Sequence, residues 1–521
     1  MNTDVIQKTF VGLFLMVLAF VVGTLVAGDA KEAFLFVSAV AGIFIVIALG
    51  RRCWWLIFLA PPLLSLVPLG IVSKLPMGFA AATGIMLYWV LLSITGSARL
   101  GWRSLGWLDF MVVLLACLFA YSYYCHPVVM GFLGGKGGVS GGSEYIWCIF
   151  GILYYVTLSS IPCSRKDLDP VLHWAVWISA ISTVLSSLWN LLGVGGSGED
   201  LGAEMTGTRF GLFVGLGQVI ILLIVCRYKL WRILVSPLLI GLVLLGLAMV
   251  FLSGFREKLV CTAVLVIYVA IIRREFITVT LLAGLTYALL IFMSSTELML
   301  SLPKGIQRTL SIVPGVEVSD DVKRGAQHSA DWRVEMWGWA LDPRTGYIKD
   351  YTWGDGFRVD MEVQSRQFRM VYRDKIQGAQ GDLRFFAKAG VWHNGSITTI
   401  HRVGYVGLVL ISLWFMAGLV LIARMCVAYQ GTPQQFYYLY YTVPLAELVT
   451  KFYASAGGVT FAFQAMTYVA LAKQLYVFAL QEGRIQPLFS HDAYVPRMLR
   501  WNEEKKEFDS GSTEASSEVR F

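Results

Sequence analysis

Charge is scarce in this chain. Of 521 residues, 42 are Lys or Arg and 34 are Asp or Glu, 15% in all, against about a quarter in an ordinary soluble domain. So few charges exclude a disordered chain and a soluble two-domain enzyme. Cysteine is sparse too. The eight residues at 53, 117, 125, 148, 163, 226, 261 and 426 include no C-x-x-C pair, which argues against a disulfide framework or a zinc site and for small buried apolar residues. What the chain has instead is apolar bulk: 57% hydrophobic residues, 17 Trp and 31 Phe, with a mean hydropathy of +0.65. The net charge of +8 then reflects loop charges that follow membrane topology, not an anion-binding or nucleic-acid-binding surface.

Only helices or closed barrels cross a bilayer, because every backbone polar group there needs an internal partner. The apolar runs are long and do not alternate. They predict helices at 9–27, 33–49, 53–73, 78–96, 107–124, 145–162, 170–192, 210–227, 232–252, 258–272, 276–293, 403–424, 435–451 and 458–480. Pro61-Pro62 kinks or splits the third. The first run, at roughly 19 residues, exceeds the apolar part of a signal peptide and reads as a retained anchor. Basic residues set the direction. With the N-terminus inside, Arg51-Arg52, Arg99, Arg103, Arg165-Lys166, Arg227, Lys229, Arg232, Arg273-Arg274 and Arg424 all fall on inward connections. The expectation is an all-α polytopic membrane protein of about fourteen transmembrane helices, N-in and C-in.

One connection differs in kind. Residues 294–402 hold 28 of the 76 charged residues, together with Trp332, Trp337, Trp339, Trp353, Phe385, Phe386 and Trp392. Balanced charge with that much aromatic material predicts a folded outside domain. Within it Ser329–Leu341 has helical character, with Asp331 near the N-cap and Pro343 past the end. The chain thus divides into helices 1–11 (1–293), a loop domain (294–402), helices 12–14 (403–480) and a cytoplasmic tail (481–521) whose last dozen or so residues read as disordered.

A transporter or channel places ionisable groups near mid-span. Here the spans read as almost bare: His173 and Asp109 lie near helix ends, and Glu447 and Lys451, spaced i, i+4, are able to neutralise one another. The charged residues that call for explanation are on the outer side. Arg209 opens the eighth span, Arg256 lies in the short turn Ser253–Lys258, Arg333 sits on the loop helix, and His393 stands near the end of the loop. Each arginine alone is open to a bland reading, headgroup snorkelling or a loop salt bridge, and His393 to a structural one. Together, three guanidinium groups suit a diphosphate through bidentate N–H donors. A histidine beside them is placed to serve as general base on a sugar hydroxyl. His401, eight residues on, has no acidic companions that would complete a metal set.

His393-Asn394, followed after nine residues by Gly404-Tyr405-Val406-Gly407, fits H-[NSQ]-x9-G-x-x-G. This pattern resembles that of the bacterial O-antigen ligase and polymerase superfamily. Arg209-Phe210-Gly211, Ser253-Gly254-Phe255-Arg256 (with a Gly-Phe insertion), Arg333 through Trp337, and Trp353-Gly354-Asp355-Gly356-Phe357 also look like segments of that family. The similarity covers roughly 205–425. It implies a GT-C-like membrane glycosyltransferase of the bacterial inner membrane, with a large periplasmic loop domain that carries the active site. The donor it implies is a glycan on undecaprenyl diphosphate. The acceptor is a hydroxyl of lipid A-core, of a second glycan chain or of a protein. Arg256, Arg333 and, in support, Arg209 would hold the diphosphate, and His393 would activate the acceptor, with Asn394 and Trp337 as further substrate-site residues. No metal or other cofactor is implied. A ligase is the first expectation; a polymerase or a protein O-oligosaccharyltransferase is the enzymatic alternative. A polysaccharide flippase or exporter is the non-enzymatic one, and it would carry charges along a central cavity.

Overall fold

The computed structural model describes residues 54–59, 88–90, 94, 106–128, 139–140, 142–161, 163–191, 211–253, 255–360, 390, 392–454 and 458–487. The first two predicted spans, most of the third and fourth, Arg209, Phe385, Phe386 and the end of the tail lie outside them. The regular structure of the described chain is helical but for one two-residue antiparallel ladder, Val139–Ser140 with Val359–Asp360. Contacts divide it into two units: Met1–Leu100 with His173–Glu199, and Gly101–Leu172 with Asp200–Phe521. In the first, Trp54 sets its ring edge-on against Trp55 and Phe58. All the site residues described below belong to the second.

Each of the ten predicted spans from 107 onward contains helix: α1 (Gly106–Cys125), α2 (Gly142–Ser160), α3 (Arg165–Leu191), α4 (Gly211–Arg227), α5 (Leu230–Val235), α6 (Pro237–Leu252), α7 (Arg256–Arg273), α8 (Phe276–Ser295), and, past the loop segment, α12 (Gly395–Ala428), α13 (Gln434–Thr442), α14 (Pro444–Ala454) and α15 (Thr460–Gln481). Proline makes two of the cuts. Pro237 opens α6 and separates it from α5, and Pro444 divides the thirteenth predicted span into α13 (Gln434–Thr442) and α14 (Pro444–Ala454), since its ring supplies no N–H to the preceding turn. Among the described residues, four helices are long and apolar enough to cross a membrane: Gly106–Cys125, Arg165–Ser187, Phe276–Ser295 and Gly395–Ala428. α8 leaves Ile277, Leu281 and Leu285 largely exposed, the arrangement of a helix whose apolar surface meets lipid.

The last helix, α15 (Thr460–Gln481), lies in the middle of its unit. Ala462, Ala465, Met466, Val469, Ala470, Ala472, Leu475 and Val477 are all buried, and it packs against α2 and α12 (Gly395–Ala428). Its alanines let those helices approach closely.

In the loop segment, α9 (Leu298–Ser301) and α10 (Lys304–Leu310) lead to α11 (Asp320–Leu341). This last helix starts nine residues before the predicted Ser329, and Asp331 is mid-helix, not a cap. Ser319 precedes the first turn, where Asp320 and Asp321 sit at the positive end of the helix dipole. Lys304 pairs with Asp321 and ties α10 to that start. Met336, Ala340, Ile348, Trp392, Ile397 and Ile400 form a buried cluster in this region, with Trp332, Trp337 and Trp339 packed against it.

Candidate functional site

The helix that follows the loop is broken. α12 runs Gly395–Ala428, but Gly404 has φ 70° and ψ −176°, a backbone conformation open in practice only to glycine. Residues 351–356 are seated at this break. Tyr405 N–H donates to the Tyr351 carbonyl (2.8 Å), Asp355 N–H to that of His401 (2.7 Å) and Gly356 N–H to that of Arg402 (3.1 Å). The approach is so close that a Cβ on Gly404 would stand 2.0 Å from the Thr352 oxygen, and one on Gly354 (φ 81°) 2.4 Å from the Val403 nitrogen. Asp355 folds the segment by accepting from the Lys349 (2.9 Å) and Asp350 (3.0 Å) N–H groups. Phe357 is then carried into the bundle, where its buried ring meets Phe119 and Tyr145. The predicted Trp353-Gly-Asp-Gly-Phe and Gly404-x-x-Gly407 segments are therefore two halves of one joint.

His393 stands at the head of that helix. Both neighbours are held. Trp392 is fully buried, its carbonyl accepting from Trp337 Nε1 (2.8 Å) while its own Nε1 donates to His401 Nδ1 (3.2 Å). Asn394 caps the helix: its Oδ1 accepts from Ser396 (2.9 Å) and Ile397 (3.2 Å) N–H groups, and its Nδ2 donates to the Tyr453 carbonyl (3.2 Å). Between these fixed points His393 has φ 48°, a left-handed conformation that costs an L-residue about 1 kcal/mol or more. Its half-buried ring lies 5.4 Å from that of Trp332. Burial, and then the neighbouring Arg333 charge, push its imidazole below the ordinary histidine range, so the ring is neutral at pH 7 and able to accept a proton. Arg333 is itself oriented by Ser329, whose carbonyl and Oγ each accept from Nη1 at 3.0 Å.

The structure thus brings His393 and Arg333 together. Asn394 and Trp337 adjoin them as the groups that hold His393 in place. Arg256 is the first residue of α7, at the same end of the bundle. That end is marked by the Thr309 hydroxyl of α10, which donates to the Phe251 carbonyl (3.1 Å). Two residues further on, Lys258 Nζ lies 3.4 Å from Glu447, which also pairs with Lys451 at 2.7 Å. The expected i, i+4 pair forms, but its carboxylate is shared with a second lysine. α14 continues from Lys451 to Tyr453, whose carbonyl receives Asn394.

His401 belongs to the joint. It is buried, its imidazole pushed down to about 3 by burial and then by the Arg402 charge, and its Nε2 lies 3.7 Å from Asp355. Among the described residues no group of three His, Cys, Asp or Glu is placed to hold a metal.

The spans are less bare than the sequence predicts, because Lys473 lies within one of them. This residue is buried in α15, with Nζ 2.6 Å from Asp109, which also accepts from the Tyr155 hydroxyl (2.7 Å). A lysine inside an apolar run was the available signal; its partner, 364 residues away, was not. Comparison of the chain with protein-family models and with curated proteins gives no match.

Proposed function

We propose that this chain is a membrane glycosyltransferase, with about fourteen spans in a GT-C-like arrangement, that moves an undecaprenyl-diphosphate-linked glycan onto an acceptor hydroxyl at the periplasmic face of the bacterial inner membrane. The observation that carries the reading is the His393–Arg333 pair: a neutral imidazole beside a guanidinium, on a strained backbone fixed from both sides. In this reading the acceptor oxygen bonds to the anomeric carbon of the donor sugar as its proton passes to His393. The bond from that carbon to the diphosphate oxygen breaks, and the electron pair leaves with the diphosphate. Arg333, Arg256 and Arg209 take up its charge, and no metal is called for. O-antigen ligation is the first form of the reaction.

The test is transfer from undecaprenyl-diphosphate glycan in membranes that carry the protein. His393→Ala abolishes product while the donor stays bound; product at the wild-type rate would refute the base assignment. Arg333→Lys keeps the charge but loses the fork, and restores transfer only in part. In cells lacking the gene, full-length lipid-linked polymer accumulates if the reaction is ligation, and single repeat units accumulate if it is polymerisation.

A further inference from the structure

Basic residues from two connections meet at the end of α7 opposite Arg256. The Arg273 guanidinium, in the last turn of α7, donates to the Val225 carbonyl (2.7 Å) and to those of Cys226 and Tyr228. Leu230 N–H donates to Glu275 Oε2 (3.0 Å). The α4–α5 turn is thereby fastened to the α7–α8 turn. Arg256 and Arg273 are the two ends of an 18-residue helix, about 27 Å long and close to the apolar thickness of a bilayer. Residues 227–236 and 273–275 hold Arg227, Lys229, Arg232, Arg273 and Arg274 against one acid, Glu275. The groups that could absorb this charge internally are occupied. Arg273 covers the carbonyl end of α4, the negative pole of that helix, and Glu275 is bound to Leu230 with its charge acting on Arg273.

Arg227, Lys229, Arg232 and Arg274 are exposed, and among the described residues none of the four forms an ion pair. The first and third meet ring faces instead: Arg227 lies over Tyr228 (5.9 Å) and Phe436 (5.4 Å), and Arg232 over Tyr228 (5.7 Å). A guanidinium laid on a ring is oriented, while its N–H edge stays available to oxygen acceptors. Topology accounts for basic residues at this end of the bundle, but not for this lack of carboxylates. On other inward connections Arg165 is paired with Glu482 and Asp169, and Arg424 donates to the Gln486 carbonyl.

We infer that this patch is a docking surface for anionic phospholipid headgroups. Arg227 and Arg232, both set against Tyr228, donate to lipid phosphate oxygens, and Lys229 and Arg274 add attraction. Charge complementarity selects the occupant, and the surrounding surface places it at the membrane: Trp231, Phe276 and Ile277 are 65%, 54% and 78% exposed, an aromatic and apolar rim of the kind found at headgroup level. The patch lies at the other end of the bundle from the His393–Arg333 pair and does not depend on the transferase reading.

The test uses the full chain in nanodiscs of phosphatidylcholine with and without phosphatidylglycerol of the same acyl chains, and native mass spectrometry to count retained lipid. The wild-type protein retains phosphatidylglycerol in preference to phosphatidylcholine and melts higher in discs that contain it. Arg227→Gln and Arg232→Gln each lower the preference about fivefold, and the two together about thirtyfold. Arg227→Lys/Arg232→Lys keeps the charge and most of the preference. Arg324→Gln/Arg344→Gln, which removes two exposed charges of the loop segment, leaves it unchanged. Equal retention of the two lipids by the wild-type protein overturns the inference, whatever the variants do; that is the result if the basic residues serve topology alone or an acidic protein. An undiminished preference in Arg227→Gln/Arg232→Gln overturns it as well, and so does an equal loss in the loop-segment variant, which would make the effect one of net charge.

Discussion

Replacing Gly404 by Ala should detach residues 350–356 from the broken helix. An alanine at φ 70° and ψ −176° is strained by about 1–3 kcal/mol. Its Cβ would also stand 2.0 Å from the Thr352 oxygen and 2.5 Å from the Trp353 nitrogen, backbone atoms that must retreat. That retreat breaks the bonds from Tyr405 to Tyr351 (2.8 Å) and from Val406 to Thr352 (3.3 Å), each worth about 1 kcal/mol net. Together the local cost is about 3–5 kcal/mol. Hydrogen exchange of the intact protein in detergent reads this directly. Amides of Asp355, Gly356 and Tyr405 should exchange roughly two to four powers of ten faster, at about 1.4 kcal/mol per tenfold. Gly325→Ala is the control within the same loop segment. A Cβ there meets nothing within 4 Å, and the helix interior gains up to about 1 kcal/mol. Wild-type protection of Asp355 and Tyr405 in Gly404→Ala would refute the joint, because no other feature of Gly404 demands its conformation.

Three further outcomes follow from the same geometry. His401 titrates near 3 in the folded chain and near 6.5 when unfolded, so the unfolded state binds the extra proton between those values. Stability therefore falls as pH drops below about 6.5, by about 1.4 kcal/mol per pH unit, and His401→Asn should remove one proton from the slope of melting temperature against pH; an unchanged slope would count against a neutral buried ring. Lys473→Met leaves the Asp109 carboxylate buried without its ammonium and should cost about 3–5 kcal/mol in thermal unfolding, with much of the loss regained in Lys473→Met/Asp109→Leu; equal stability of the two variants would show that Asp109 is hydrated. With burial and Arg333 holding the His393 pKa below its ordinary value, the acid limb of the transfer rate against pH should lie below 6.5 and should move upward in Arg333→Gln; a limb unmoved by that substitution would separate the two residues.

How much of this was legible follows from what each signal measures. Helices register as apolar length, so all ten spans predicted from 107 onward contain helix. Proline was legible where it cuts, and Pro237 and Pro444 interrupt two of the runs. The loop helix extends beyond its apolar stretch, Ser329–Leu341, because its first turns are held by Asp320, Asp321 and the ion pair to Lys304. Pairings between distant segments leave no periodic trace. Nothing local to Lys258 announces Glu447, and nothing local to Asp109 announces Lys473, since each pair is made by packing and not by spacing.

The motif residues also divide in a way that spacing alone does not reveal. Asn394 uses both its amide groups on the backbone, Trp337 spends its N–H on Trp392, Asp355 gathers two amides, and Gly354 and Gly404 supply a backbone path. These are holders. His393 instead occupies an unfavourable conformation between its two fixed neighbours, with its ring turned to Trp332 and Arg333. Strain of that kind persists only where the surrounding structure imposes it, and here a cap, a buried tryptophan and a broken helix all impose it on one imidazole. Substituting a holder should therefore loosen the joint and slow transfer together, in proportion. Substituting His393 should remove transfer and, by relieving the left-handed backbone in His393→Gly, leave the fold as stable as before or more so.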